Sequence, residues 1–199
     1  MTAIQLFPLI SFVLISTFTP GPSNISTASL GVLHGYKNTL AYQVGLAVGV
    51  FVMMLISGWI SSLLLHTLPA LEPILRYVGA AYILYLAWAI LKAGYTFTAD
   101  NIKPMGFGHG LMLQLLNPKL MVYALTLFST FLTPITGNVV WVIVAVTLLS
   151  ATAFCATSTW ALFGTAIKNY LHNPRLKAII NIILSLFLVY TALVLAGLI

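Results

Sequence analysis

The sequence predicts an all-α membrane protein: six transmembrane helices arranged as two inverted-topology three-helix repeats, with helices 1 and 4 broken at Pro. Three observations carry this. The 199-residue chain is 61% hydrophobic and only 5% charged, against about 25% charged in an ordinary globular domain, too little to build a water-facing surface. It divides into six apolar runs, each near the roughly 20 residues that cross a bilayer. The first and fourth runs are each interrupted by proline, at TPGPSN (19–24) and NPK (117–119), about half a chain apart.

Run 1 covers about 4–33. It lacks a basic leading segment and a clear cleavage site, so a retained helix is expected rather than a removed signal. Run 2, about 39–66, carries Gly45 and Gly49 as GxxxG, a spacing that permits close helix packing; packing within the bundle is expected ahead of dimerisation, so a homo-oligomer is possible but not indicated. Run 3, about 72–92, follows a loop at Pro69 and Pro73. Run 4 covers about 106–133 and run 5 about 138–167. Run 6, about 178–198, places Asn181 and Ser185 one turn apart, and both are expected to bond between helices. No strand alternation and no separate soluble domain is visible, so residues 1–199 form one transmembrane domain.

Basic residues set the orientation, because cytoplasmic loops collect Lys and Arg. The loops after runs 1, 3 and 5 share one side and hold Lys37, Lys92, Lys103, Lys168, Arg175 and Lys177, while the opposite side holds only Arg76. The first set is therefore placed in the cytoplasm, with both termini on the outer, periplasmic side. Repeat one spans about 1–98 and repeat two about 99–199. Pro20 and Pro118 stand 98 positions apart. Three spans is an odd number, so the second half enters from the opposite face. Matching interruptions in two such halves point to a transporter's binding site.

The residues at the interruptions explain the chemistry. Pro20 and Pro22 remove two backbone donors, and Gly21 loosens the backbone between them. Irregular backbone at membrane depth is tolerated only within protein or beside a wet cavity. Ser16, Thr19, Ser23 and Thr27 recur at helical spacing next to Asn24 and are expected to line a path, although a short hydroxyl also bonds readily to the carbonyl one turn back. Thr147, Ser150, Thr157 and Thr165 form a weaker stripe on run 5. Lys119 lies about 13 residues into run 4, roughly 20 Å along it. A charge there is costly unless paired or hydrated, and the only acids, Glu72 and Asp100, fall in loops. Lys119 either snorkels to an interface or faces a vacancy for an anion.

A broken helix offers both polarities. Its N-terminal ends carry partial positive charge and its C-terminal ends present free carbonyls. A zwitterion needs one of each. Its carboxylate is expected at Ser23 and Asn24, or at Lys119; its ammonium is expected at the carbonyls before Pro20 or Pro118, helped by Gln114 or Asn117. The candidate substrate-binding set is Thr19, Pro20, Gly21, Pro22, Ser23, Asn24, Gln114, Asn117, Pro118 and Lys119.

Several classes are disfavoured. The net charge of +6 comes from scattered basic residues, whereas nucleic-acid binding needs clustered patches. One cysteine, Cys155, permits neither an intrachain disulfide nor a dithiol electron carrier. His34, His66, His109 and His172 sit near span ends, with no HxxxH, CxxC or carboxylate cluster, so no metal, no cofactor and no enzyme active site is expected. A passive channel is harder to separate from a carrier.

TPGPSN (19–24), HGYKN (34–38) and NPK (117–119) together resemble the lysine-exporter superfamily, the LysE/RhtB family of amino-acid exporters, over essentially the whole chain. GAAYILYLAWAI (79–90) and LQLLNPKLMVYALTLFSTFL (113–132) look most like the branch that exports cysteine and O-acetylserine. The resemblance implies a bacterial inner-membrane exporter of a small amino acid or derivative, with the lipid bilayer and a small solute as its partners. Many members carry Asn where Ser23 stands, a departure expected to tune the polar site and leave the scaffold untouched. Alternating access driven by the proton motive force is the expected mechanism. Facilitated efflux is the alternative.

Overall fold

The computed structural model describes residues 3–59, 77, 80–81, 83–85, 87–88, 91, 105–170, 174–196 and 198. Pro69, Pro73, Lys92, Lys103, Arg76, Glu72, Asp100, His66 and His172 lie outside the described residues, as does most of run 3.

The described residues are helical and include no strand. Run 1 is two helices, α1 (Ala3–Phe18) and α2 (Pro22–His34). A single residue, Gly35, joins α2 to α3 (Tyr36–Trp59). Its φ of 80° is a left-handed value that suits glycine, and its N–H closes α2 on the Gly31 carbonyl at 2.9 Å. Run 4 is likewise two helices, α4 (Phe107–Leu115) and α5 (Pro118–Thr126). It ends in a π turn, Leu127–Phe131, and a 3-10 turn, Thr133–Ile135. Asn138 then caps α6 (Val139–Tyr170) by accepting from the N–H groups of Val140 and Trp141. The last helix is α7 (Pro174–Ala196).

Outward faces are apolar and much of the polar content points inward. Val44, Val48 and Ile56 of α3, Leu148, Leu162 and Phe163 of α6, and Ile183, Leu186 and Phe187 of α7 are exposed. Asn24, Ser26, Thr27, Ser29, Thr39, Gln43, Gln114 and Asn117 are buried. This is the reverse of a water-soluble domain and suits a hydrocarbon solvent. Among the described residues two helices are long and apolar enough to cross a membrane, Tyr36–Gly58 and Val139–Ile167. The interruptions cut runs 1 and 4 into shorter pieces.

Two apolar clusters fill the interior. In one, Ile25, Leu30, Tyr42 and Leu113 meet Ala80, Ile83, Ala87, Leu188 and Ala192. In the other, Val50 and Met54 of α3 meet Leu120 and Ala124 of α5, Phe128, and Val142 and Val146 of α6. The α3–α4 contact is close enough to exclude side chains. A Cβ on Gly45 would stand 2.1 Å from the Phe107 carbonyl oxygen, and one on Gly110 would stand 2.1 Å from that of Tyr42. Gly49 presses on the Gln114 side chain. The GxxxG of run 2 therefore packs inside the molecule, as small-residue interfaces between membrane helices do. A polar chain ties α3 to α6: Tyr36 OH donates to Ser158 Oγ at 3.2 Å, Ser158 donates to Gln43 Oε1 at 2.8 Å, and Gln43 Nε2 donates to Thr39 Oγ1 at 3.0 Å.

Two expectations need correction. Ser185 is buried on α7, but its hydroxyl has no hydrogen-bond partner among the described residues. The hydroxyl stripe of run 1 is split: Ser16 and Ser23 line the cavity described below, whereas Thr19 and Thr27 do not. Thr19 bonds back to the Ile15 carbonyl and Thr27 to that of Ser23, the local alternative open to any helical threonine. Thr147, Thr157 and Thr165 of run 5 also bond back within α6.

Candidate functional site

The two interruptions meet. Ser23, in the first turn of α2, donates to Gln114 Oε1 at 2.5 Å across 91 positions of sequence. Asn117 Nδ2 donates to the same Ser23 oxygen at 3.3 Å across 94 positions. These contacts join the start of α2 to the end of α4 and the start of α5.

The backbone of the first interruption follows from its prolines. Thr19 N–H still closes a helical turn on the Ile15 carbonyl at 3.0 Å. Pro20 has no N–H to continue it. Gly21 takes an extended conformation (φ −167°, ψ 178°), and α2 starts with Pro22 at its first position, where the missing donor costs nothing. The last carbonyls of a helix lack partners within it. Here they receive side chains from elsewhere in the fold. Asn24 Nδ2 donates to the Thr17 and Thr19 carbonyls at 2.9 and 3.0 Å. Lys119 Nζ donates to the Thr19 carbonyl at 3.2 Å, and Trp160 Nε1 donates to that of Phe18 at 3.2 Å. No side chain caps the start of α2.

The second interruption closes on itself. Leu116 N–H bonds to the Met112 carbonyl at 3.0 Å and Asn117 N–H to that of Gln114 at 3.2 Å. The Asn117 side chain caps α5, accepting from Lys119 N–H at 3.1 Å, as asparagine does at helix starts.

A cavity open at one side lies between these segments. Its volume is about 70 Å³. Of the ten candidates, Gly21, Pro22, Ser23, Asn24, Gln114, Asn117 and Lys119 line it. Thr19 is exposed and outside the lining, but its carbonyl accepts from the lining residue Lys119 while its hydroxyl bonds back to Ile15. Pro20 is exposed and outside the lining, and Pro118 supplies the first position of α5. Ser16 and Thr157, from the hydroxyl stripes of runs 1 and 5, also line it; the sequence reasoning missed Thr17, Leu46, Val50, Leu120, Tyr123 and Ala153, which complete the wall. Thr17 Oγ1 donates to the Tyr123 hydroxyl at 3.4 Å. Tyr123 stands four residues after Lys119 and so shares its helix face, a signal present in the sequence. His109 is exposed on α4 and does not line the cavity.

The arrangement offers four aliphatic hydroxyls, three amides, a phenol and one ammonium, with the carbonyl end of α1 beside them, against apolar walls from Leu46, Val50 and Leu120. A family model described as LysE type translocator matches residues 14–197. The chain belongs to this family. It is 36% identical over 193 residues to a cysteine/O-acetylserine efflux protein of Salmonella choleraesuis, covering 96% of this chain and 97% of that one. A protein of the same name from Klebsiella pneumoniae is 35% identical over 82% of this chain and 84% of its own. Another from Shigella flexneri is 33% identical over 96% of this chain and 97% of its own. No solved structure matches the chain significantly. Membership in a translocator family accords with the inward polar residues and apolar exterior, and the resemblance drawn from TPGPSN and NPK holds.

Proposed function

We propose that this protein exports a small amino acid or close derivative, of the size and polarity of cysteine or O-acetylserine, from the bacterial cytoplasm. The observation that carries the proposal is the meeting of the two interruptions, through Ser23 with Gln114 and Asn117. Two segments about half a chain apart converge on one small cavity that carries polar groups on largely apolar walls. The names of the efflux relatives support the substrate class.

In this proposal the chain crosses the inner membrane six times, with both termini outside. Repeats of about 1–98 and 99–199 have inverted topology and move against each other around the cavity. The substrate carboxylate faces the start of α2 and Lys119, and its ammonium faces the carbonyl end of α1. Outward movement is driven by the proton motive force. A second reading, facilitated efflux, is favoured by one observation: no carboxylate lines the cavity among the described residues, and intramembrane Asp or Glu are common proton carriers.

The test is efflux from proteoliposomes that contain only this protein, loaded with labelled cysteine under reducing conditions, with competition by a panel of amino acids. Saturable, stereoselective efflux accelerated by an imposed pH gradient is expected. Equal rates with and without the gradient would remove proton coupling and leave facilitated efflux. Linear, non-stereoselective release would point to a channel.

A further inference from the structure

Lys119 is the cation of the cavity, and its present position is informative. Its backbone lies in the first turn of α5, where a positive charge opposes the helix dipole. The side chain leaves that end and lies across Gly21. A Cβ on Gly21 would stand 3.3 Å from both Lys119 Cδ and Nζ. The ammonium reaches the Thr19 carbonyl at 3.2 Å, at the negative end of α1, which is the favourable end for a cation. Thr19 O also accepts from Asn24 Nδ2. A carbonyl oxygen has two lone pairs, so these two donors saturate it.

A primary ammonium of the protein thus occupies the carbonyl end at which the ammonium of an amino acid would be received. We propose that Lys119 is a tethered occupant of the substrate's ammonium position and that the substrate is admitted by exchange. Its ammonium replaces Lys119 at the Thr19 carbonyl, and its carboxylate takes the released Lys119 Nζ, beside the Ser23 hydroxyl. This rests on the substrate lying between the two interruptions.

The exchange leaves every charge with a partner only if the solute carries both groups. An amine without a carboxylate would free Lys119 with no anion to receive it, leaving two cations side by side. A carboxylic acid without an amine would draw Lys119 away and leave the Thr19 carbonyl short of a donor. Lys119 is therefore a specificity-determining residue that selects zwitterions over singly charged analogues.

The test uses the full-length protein in proteoliposomes and labelled L-cysteine, with cysteamine (no carboxylate) and 3-mercaptopropionate (no amine) as competitors. In the wild type neither analogue competes at concentrations where unlabelled cysteine does. Lys119→Met is expected to weaken cysteine at least tenfold and to strengthen cysteamine at least tenfold, because the Thr19 carbonyl is vacated. Lys119→Arg is expected to keep the wild-type order. Gly21→Ala crowds the lysine stem without changing charge and moves the analogues in the same direction as Lys119→Met, so the proposal stays testable should that variant fail to insert. Loss of cysteine competition in Lys119→Met and Gly21→Ala with no gain for cysteamine overturns the exchange while leaving the site in place. Wild-type cysteine efflux from both Lys119→Met and Asn24→Ala overturns the site and the exchange together.

Discussion

The two interruptions do the same thing to the helix axis by different means. The second is self-sufficient: its turn is closed by local N–H groups of Leu116 and Asn117, and α5 is capped by its own Asn117. The first depends on side chains, one from its own Asn24 and two from distant helices. Its carbonyls are met by Asn24, Lys119 and Trp160, and the start of α2 has no side-chain cap. The difference assigns roles. Under the exchange proposed above, NPK acts as the bracket that presents Gln114, Asn117 and Lys119, and TPGP as the partner whose bonds are exchanged.

Breaking the first interruption should have the largest effect. Asn24→Ala strands the Thr17 carbonyl and half of the Thr19 pair; at about 1–3 kcal/mol per unsatisfied buried group, export in proteoliposomes should fall tenfold or more while the protein still inserts. Lys119→Ala is expected to lose most export as well. Gln114→Leu removes the acceptor of Ser23 and leaves only the Asn117 and Lys119 bonds between the two interruptions, so a several-fold rise in the half-saturating cysteine concentration is expected, with near-normal thermal stability in detergent. At the second interruption the effect should be chiefly on stability. Asn117→Ala loses the cap of α5, worth about 1 kcal/mol, and lowers the melting temperature, whereas Asn117→Asp retains an acceptor and recovers most of it. The smallest change is expected from Thr147→Ala. This residue is exposed and its hydroxyl bonds only back to Ile143, and such positions usually stay within about 0.5 kcal/mol. A large effect there would show that the stripe on α6 has a use that back-bonding does not explain.

Proline made the interruptions legible in the sequence, because a missing donor breaks a helix wherever it falls. Their likeness in position, 98 residues apart, made their pairing legible too. Side-chain capping was not. Whether Asn24 turns toward Thr17 and Thr19, or Trp160 toward Phe18, depends on how helices rotate and cross, which no spacing along one helix encodes. The hydroxyl stripe was legible only in part, since Ser16 and Ser23 line the cavity and Thr19 and Thr27 do not. Periodicity places Thr19 and Thr27 near a face, but a threonine in a helix has a carbonyl always within reach, and that bond formed instead. Tyr123 was recoverable from its four-residue offset from Lys119. The reciprocal fit of Gly45 and Gly110 was half visible, as a GxxxG whose partner helix the sequence did not name.

The bond from Trp160 to the Phe18 carbonyl gives the molecule a built-in optical reporter. Indole emission responds to the hydrogen bonding and polarity around its N–H, and here that N–H is fastened to the end of α1 beside the cavity. With Trp59, Trp88 and Trp141 replaced by phenylalanine, the remaining fluorophore would register in real time whether α1 and α6 separate when a solute is added.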